Sequence, residues 1–542
     1  MVKLSLFGGL DGIGMNMMSF QHDNEIIVID AGIMFPDADL HGIDKIIPSF
    51  SYFEKHKKDI KGIFLTHGHE DHIGAIANFI EKINVPIYGT KLTLGMAEHK
   101  LIEANIKNYK LIEINEKSVI KFKHFKLEFI RVSHSIPDGV MTIIHSPVGL
   151  IVHSGDFKID YTPVDKKVVD LKRIANIGNK GVLLFMSDST NAVKKGHTQS
   201  EKHVGDAFER EFAGVEGRLL VATFSSNIHR LQQAINVGKK FNRKICFVGK
   251  SMENTSAIAR RLGYLDFDDE DIISMNDVDN YPDDQILVLV TGSQGEPLAA
   301  LTRMVNDKHP FFHLKEKDTV IMSALPIPGN EKMVYSNINK LGRKGIKVIY
   351  EAGSKMHVSG HAYAEELKLM LQLVKPKFFI PIHGEFRHLL AHKELAEDLG
   401  IVKEVIIAEN GDQLEIDKKK ISVVGRLNDA LIYVDSNRNC FEDQGIIDDR
   451  QAMAANGVVS ITVFMDRDKR IIQNVMLKMR GISNPPDDFM IGIKDSIVDQ
   501  FNYRSGAGNI ALNNVEKEIV ESVRKYMLKK IGKRPLVIPT IV

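Results

Sequence analysis

The sequence predicts an α/β protein of more than one domain, on three observations. Over the first 155 residues, strand-sized apolar runs end in histidine, aspartate or serine. From Arg218, four strand, turn and helix units follow one another. Beyond a polar, glycine-bearing stretch at Gly425 to Arg450, a strand and an amphipathic helix form a small unit of their own. Lys3–Phe7, Glu25–Asp30, Gly62–Thr66, Lys126–Val132, Met141–His145 and Leu150–His153 carry the β-branched and aromatic residues of strands, bounded by turn residues. Between them, Ile73–Ile83 and Leu92–Asn105 repeat apolar residues at helical spacing.

The second block is more regular. Arg218–Phe224 leads into a helix at Asn227–Val237, Lys244–Val248 into Thr255–Leu262, Ile286–Val290 into Leu298–Val305, and Thr319–Met322 into Glu331–Leu341. Such alternation requires crossovers, so the strands make a mostly parallel sheet with helices on its faces. A helix at Ala362–Val374 and a strand at Phe378–Ile382, ending in His383, return to the layout of the first region. The parallel block is therefore an insertion, and the host domain resumes near residue 350. In the last unit, Gly457–Phe464 reads as a strand, and Val515, Ile519, Val523 and Met527 line one face of a helix ending at Ile531.

Composition narrows the class. The chain has 542 residues, 71 Lys+Arg against 70 Asp+Glu, and 44% hydrophobic residues. That is a globular composition, and a formal charge of +1 supplies no global field for a polyanion. The two cysteines, Cys246 and Cys440, exclude a disulfide framework or a cysteine zinc site and fit a cytoplasmic protein. Apolar runs are strand-sized, Asp11 interrupts the first of them, and neither a membrane span nor a secretion signal is expected.

The distinctive number is 21 histidines, because of where they fall. Thr66-His67-Gly-His69-Glu-Asp71-His72 packs three imidazoles and a carboxylate into a turn leaving a strand, where they can converge on one point. Nitrogen and oxygen donors without thiolate suit zinc, with manganese as the competing ion. Further donors stand at other strand ends: His134, Asp156 and His383. A lone histidine at a strand end is usually structural, but here the candidates form an ordered series.

This series resembles the metallo-β-lactamase superfamily, whose signature is His-x-His-x-Asp-His, and within it the beta-CASP nucleases. Met186-Ser-Asp188-Ser-Thr-Asn191, His357-Val-Ser-Gly360-His361 and Pro381-Ile-His383-Gly-Glu385 match three further beta-CASP motifs. The implied fold is a metallo-β-lactamase αββα sandwich with an inserted beta-CASP domain and a small α+β C-terminal domain. The implied division is 1–195 and 351–424 for the lactamase-type domain, 196–350 for the insertion, 425–449 for a linker and 450–542 for the last domain. By resemblance, His67, His69 and His134 hold one metal ion and Asp71, His72 and His383 a second, with Asp156 shared and Asp30 orienting histidine ligands. Two such ions activate water and clamp the charge that develops at phosphorus.

A histidine at 361 goes with RNA-cleaving members, whereas DNA-processing members carry valine; Asp188 and His361 then join Asp71 as catalytic residues. The resemblance to one RNA-degrading branch runs over nearly the whole chain. It implies 5′ to 3′ exonucleolysis of single-stranded RNA bearing a 5′ monophosphate, release of nucleoside 5′-monophosphates, some endonucleolytic cleavage, and roles in RNA maturation and decay. It also implies homodimers or homotetramers through the C-terminal and lactamase-type domains, and RNA degradosome components as partners. Ser359 and Gly360 precede a helix whose free N–H groups can hold the terminal phosphate, with His357 and His361 adding donors and Ser293 offering a second phosphate turn. Phe35 is placed to stack on a base, with a place in the core as the alternative. Gly9-Leu-Asp11-Gly departs from the usual Gly-Leu-Gly-Glu, and Met479-Arg480-Gly481 from the commoner Ser-Arg-Gly. The metal motif alone also admits a thioester or lactone hydrolase, and paralogues that lose ligands become non-catalytic subunits; here every ligand is present.

Overall fold

The computed structural model describes residues 1–37, 39–327, 329–350, 356–427, 431–435, 440–466, 471–483, 488–505 and 512–542. It divides into two compact units, Met1–Phe35 with Ile46–Ile432, and Pro36–Lys45 with Tyr433–Val542.

The first unit carries two large sheets. One runs in the order Ile421–Arg426, Asp412–Ile416, Val2–Gly8, Met17–His22, Glu25–Ile29, Ile60–Phe64, Ile87–Gly89, Leu111–Glu113. The other runs Glu404–Val405, Phe378–Ile382, Val182–Asp188, Gly149–His153, Val140–Ser146, Lys126–Arg131, Val119–Lys121. Phe20, Ile27 and Phe64 from one sheet and Leu127, Phe129, Leu184 and Ile380 from the other meet in a single apolar core. Each fully buried side chain of this size contributes about 1.5–3 kcal/mol, so this layer fixes how the sheets stack. Helices cover the outer faces: Ile174, Leu367, Met370 and Leu371 pack on Phe185 and Phe379 of the second sheet. This is the expected sandwich.

The inserted block is a five-stranded sheet in the order Lys244–Val248, Ile286–Val290, Leu219–Ala222, Thr319–Met322, Lys347–Ile349, parallel throughout. Its central strands are buried end to end, as crossover helices on both faces demand. Arg218 leads into its middle strand, fully buried, with Asp318 accepting two hydrogen bonds at 2.9 and 2.7 Å and Phe312 stacked against the guanidinium. Planar, doubly bonded guanidinium is the form of buried charge that costs least.

The second unit has an antiparallel pair, Val458–Asp466 with Ile471–Arg480, and Leu536–Ile541 added in parallel. The helices Phe489–Ser505 and Leu512–Ile531 pack on it. Ile519, Val523 and Met527 are buried there, while the side chain of Val515 lies outside the described residues. No described helix is long and apolar enough to cross a membrane.

Candidate metal centre

Parallel pairing explains why distant residues meet. Glu25–Ile29 and Ile60–Phe64 run side by side in one direction, so Asp30 and the His67 turn leave the sheet together. In the second sheet, Gly149–His153, Val182–Asp188 and Phe378–Ile382 are likewise parallel and deliver Asp156, Asp188 and His383 at one end. Asp30 and His383 have φ of +58° and +55°, sharp turns that hold their side chains at the sheet edge. Gly32 lets the chain pass the metal turn: a Cβ there would lie 1.6 Å from the Asp71 carbonyl oxygen.

The expected ligands form two donor groups with Asp156 in common, and a third, overlapping group joins Asp156 and His383 to Asp188 and His361. His67, His69, His134 and Asp156 form the first; Asp71, His72, His383 and Asp156 form the second, each with all its ligand atoms within 4.8 Å of one another. His69 Nδ1 lies 3.0 Å from His67 Nε2 and 3.1 Å from His134 Nε2. His383 Nε2 lies 3.1 Å from Asp71 Oδ2, and His72 Nε2 3.2 Å from Asp156 Oδ2. Asp156 Oδ2 also lies 3.6 Å from His67 Nε2 and from His383 Nε2, yet it is buried and accepts no hydrogen bond. A carboxylate oxygen so placed, among ring nitrogens facing one another, makes a donor set that fits a cation. Imidazole and carboxylate without thiolate fit zinc.

Surrounding groups fix the tautomers. Asp30 Oδ2 accepts from His72 Nδ1 at 2.7 Å and from Thr66 Oγ1 at 2.8 Å, while Oδ1 accepts from the Thr66 N–H. The Gly360 carbonyl accepts from His134 Nδ1 at 2.7 Å. Each bond leaves the Nε2 lone pair free for a metal. Burial and the neighbouring imidazoles hold His67 and His134 well below the usual histidine range, and His69 falls to about 4, so all three are neutral as ligation requires. Burial pushes Asp71 and Asp156 up, but the charges of His72 and His383 prevail and keep both carboxyls below their usual range. The same pairing draws His72 and His383 well above theirs against the opposing effect of burial.

Beside the clusters, His361 Nδ1 lies 2.8 Å from Asp188 Oδ2 and 3.9 Å from Asp156 Oδ2. Burial lowers the imidazole, but the Asp188 charge outweighs it and lifts His361 above its ordinary pKa. His361 is thus tied to Asp188 and does not cap the helix that follows. That helix spans Ala364–Val374, and its entry is already satisfied: Glu366 accepts from the Tyr363 N–H, and Phe157, Lys194 and Gly196 carbonyls accept from the N–H groups of Ala362, Ala364 and Glu365. The expectation of free helix-end N–H groups for a phosphate is corrected accordingly.

The remaining expected residues divide. Ser359 Oγ accepts from Asn191 Nδ2 at 2.7 Å, and Gly360 packs against His134, where a Cβ would lie 2.7 Å from Cε1. His357 Nδ1 accepts from Arg230 at 3.0 Å, and burial with that guanidinium keeps the ring neutral, leaving Nε2–H as a donor. Phe35 is 61% exposed and so is not a core residue. Ser293 is buried in a turn whose Gln294 holds Leu325 and Ile327, and among the described residues no hydrogen bond joins it to the cluster.

Three positioning residues are additional to those expected. Thr190 Oγ1 sits 2.7 Å from Asp188 Oδ1 and 2.6 Å from His383 Nδ1. Thr66 binds Asp30, and buried Asn16 donates from Nδ2 to the Asp71 carbonyl at 3.0 Å. Thr66 and Thr190 lie inside the quoted motifs and could have been found there; Asn16 stands alone in sequence.

Comparison with known proteins gives this geometry a family. Residues 14–161 match the metallo-beta-lactamase superfamily, 216–341 the Ribonuclease J beta-CASP domain, 345–408 the Zn-dependent metallo-hydrolase RNA specificity domain and 445–542 the Ribonuclease J C-terminal domain. The chain is 42% identical to Ribonuclease J of Helicobacter pylori strain B128 over 99% of its own length and 79% of that protein. Identity to Ribonuclease J of Thermus thermophilus is 37%, covering 100% of this chain and 95% of the relative. Ribonuclease J2 of Bacillus subtilis is 35% identical, covering 100% and 98%. Among solved structures, a protein of unknown function from Enterococcus faecalis V583 shares the fold, with TM-score 0.56 at 18% identity over 76% of this chain and 99% of its own. The buried histidine and aspartate clusters and the matches along the whole chain lead to one conclusion: the chain belongs to the ribonuclease J family of beta-CASP metallo-β-lactamases.

Proposed function

We propose that the protein is a two-zinc 5′ to 3′ exoribonuclease that takes RNA with a 5′ monophosphate, releases nucleoside 5′-monophosphates and also cuts internally. Family membership makes it a zinc-dependent ribonuclease; the direction, the ion count and the residue roles are the proposal. His67, His69 and His134 would hold one ion and Asp71, His72 and His383 the other, with Asp156 available to both. When bound, the ions supply Lewis acidity and charge neutralisation at the scissile phosphate.

The chain's own groups supply the proton. With Nδ1 engaged by Asp188, protonated His361 presents Nε2–H. As the bond between phosphorus and the 3′ oxygen breaks, that proton passes to the leaving oxygen, while water contributes the hydroxyl that phosphorus gains and gives up its other proton to solvent, from which His361 is recharged. Asp188 keeps the imidazole charged until then, and Thr190 holds Asp188 and His383 in one frame. His357 and His361 receive the terminal phosphate, with Ser359 and Gly360 beside them shaping the turn, Ser293 offers a second phosphate contact, and exposed Phe35 stacks on a base. Each cut leaves a new 5′ phosphate, so the reaction repeats. Self-association through the lactamase-type and C-terminal domains, degradosome partners and a cytoplasmic location belong to the same proposal.

The observation that carries the mechanism is the His361–Asp188 pair set against the shared Asp156. Its test is incubation with matched RNAs bearing a 5′ monophosphate, triphosphate or hydroxyl, and with matched DNA. Mononucleotides from the monophosphate RNA alone are expected; equal cutting of all three ends, or of DNA, would overturn it.

A further inference from the structure

A second histidine and aspartate constellation lies at the opposite end of the first sheet. The hairpin between Met17–His22 and Glu25–Ile29 carries His22 and Asp23, and His124 stands in the turn between Val119–Lys121 and Lys126–Arg131 of the second sheet. The strand from Glu25 to Ile29 separates this hairpin from Asp30, about 17 Å at strand rise, so the constellation is distinct from the catalytic clusters.

Its geometry is that of a ligand set. Asp23 Oδ2 lies 3.8 Å from His22 Nε2 and 3.6 Å from His124 Nε2, and one ligand atom from each residue falls within 4.8 Å of the other two. Ligands at 2.0–2.1 Å on a tetrahedral ion stand about 3.3–3.5 Å apart, so the two distances from Asp23 need to close by only a few tenths of an ångström. The imidazoles meet edge to face, centroids 4.7 Å apart, and the Asp23 carboxylate beside them is exposed.

Both rings are held in place. The Met1 carbonyl accepts from His22 Nδ1 at 2.7 Å, which fixes the tautomer and leaves the Nε2 lone pair directed at Asp23. Buried Glu25 accepts from the N–H groups of Lys123, His124 and Phe125 at 2.9–3.0 Å, pinning the turn that bears His124 onto the hairpin. A carbonyl-oriented histidine, a second histidine on a clamped turn and an exposed carboxylate are what a borderline-soft divalent cation takes, with water completing its shell.

We propose that His22, Asp23 and His124 form a third metal site, selective for zinc-like divalent cations, that staples the two sheets of the sandwich together at the end remote from catalysis. An untagged protein, fully loaded with zinc at its catalytic clusters, is dialysed against rising zinc, and metal per chain is measured. One further equivalent is expected, raising Tm. The double variant Asp23→Asn, His124→Asn should bind that equivalent at least tenfold more weakly, lose the Tm response and hydrolyse RNA at the parental rate. Asparagine is accepted at the positive φ of 48° at Asp23, and neither substituted side chain is in the core, so the variant folds. Superimposable uptake curves for parent and variant would overturn the site; so would loss of RNA hydrolysis together with the extra equivalent, which would assign the ion to the catalytic cluster.

Discussion

Replacing Asp30 by asparagine isolates the role of one proton. Asp30 Oδ2 is the acceptor that keeps His72 protonated on Nδ1, at 2.7 Å, and it also accepts from Thr66 Oγ1. Asparagine keeps an oxygen for the Thr66 N–H but turns an NH2 group toward His72. Two donors cannot face one another, so the imidazole shifts its hydrogen to Nε2, the atom a metal needs. The alternative flip sets NH2 against the Thr66 N–H and is no better. Outer groups that orient a ligand are typically worth 10–100-fold in metal affinity, about 1.4–2.7 kcal/mol. Backbone strain does not confound the change, because asparagine tolerates the φ of +58° that Asp30 adopts. Competition with a chromophoric zinc chelator should show a 10–100-fold weaker site in a variant whose far-ultraviolet circular dichroism matches the parent. RNA hydrolysis should return at saturating zinc. A folded variant with affinity within twofold of the parent would refute the reasoning.

Further outcomes follow from the same contacts. His361→Ala should lower turnover on RNA roughly 10²–10⁴-fold with zinc content unchanged, and Asp188→Asn, by removing the charge that raises His361, should move the alkaline limb of the pH–rate profile to lower pH. Gly32→Ala sets a methyl 1.6 Å from the Asp71 carbonyl and should abolish zinc retention measured by mass spectrometry of metals. Burial pushes the Cys246 thiol up to about 12, whereas Cys440 is exposed, so alkylation at pH 8 should label one thiol in the native protein and two after denaturation. Burial holds His392 down to about 3, so the unfolded chain binds its proton first as pH falls. Its contribution is complete above about pH 6.5 and is lost toward pH 3 at about 1.4 kcal/mol per pH unit. His392→Asn should flatten the fall of Tm between pH 6.5 and 4.5, and an unchanged slope would exclude His392 as a source.

The metal turn was readable because its residues are local: His67 to His72 lie in six positions after one strand. The distant members were readable only because each ends a strand, and parallel pairing gathers strand ends. The strand Val182–Asp188 is not among those expected, although Asp188 at its end is: its short apolar run, Val182 to Met186, has neither alternation nor more than one β-branched residue to mark it as a strand. The helix Leu512–Ile531 begins before the expected Val515 because fraying ends carry little apolar signal. What sequence could not show is who holds whom. The Gly360 carbonyl on His134 joins residues 226 apart, and Asn16 reaches Asp71 across 55. Such contacts depend on backbone atoms, which every residue type shares.

The hydrogen bond between His361 and Asp188 spans 173 positions and closes the root of the inserted domain. That closure has a temporal meaning during synthesis. A nascent chain exposes the metal turn early, but it lacks His361 until the whole insertion has been made, and lacks His383 until later still. A chain whose synthesis has not passed His383 therefore lacks one member of the cluster of Asp71, His72, Asp156 and His383. The cluster is thus assembled by folding of the insertion, which brings its two ends together, and not by the metal turn alone.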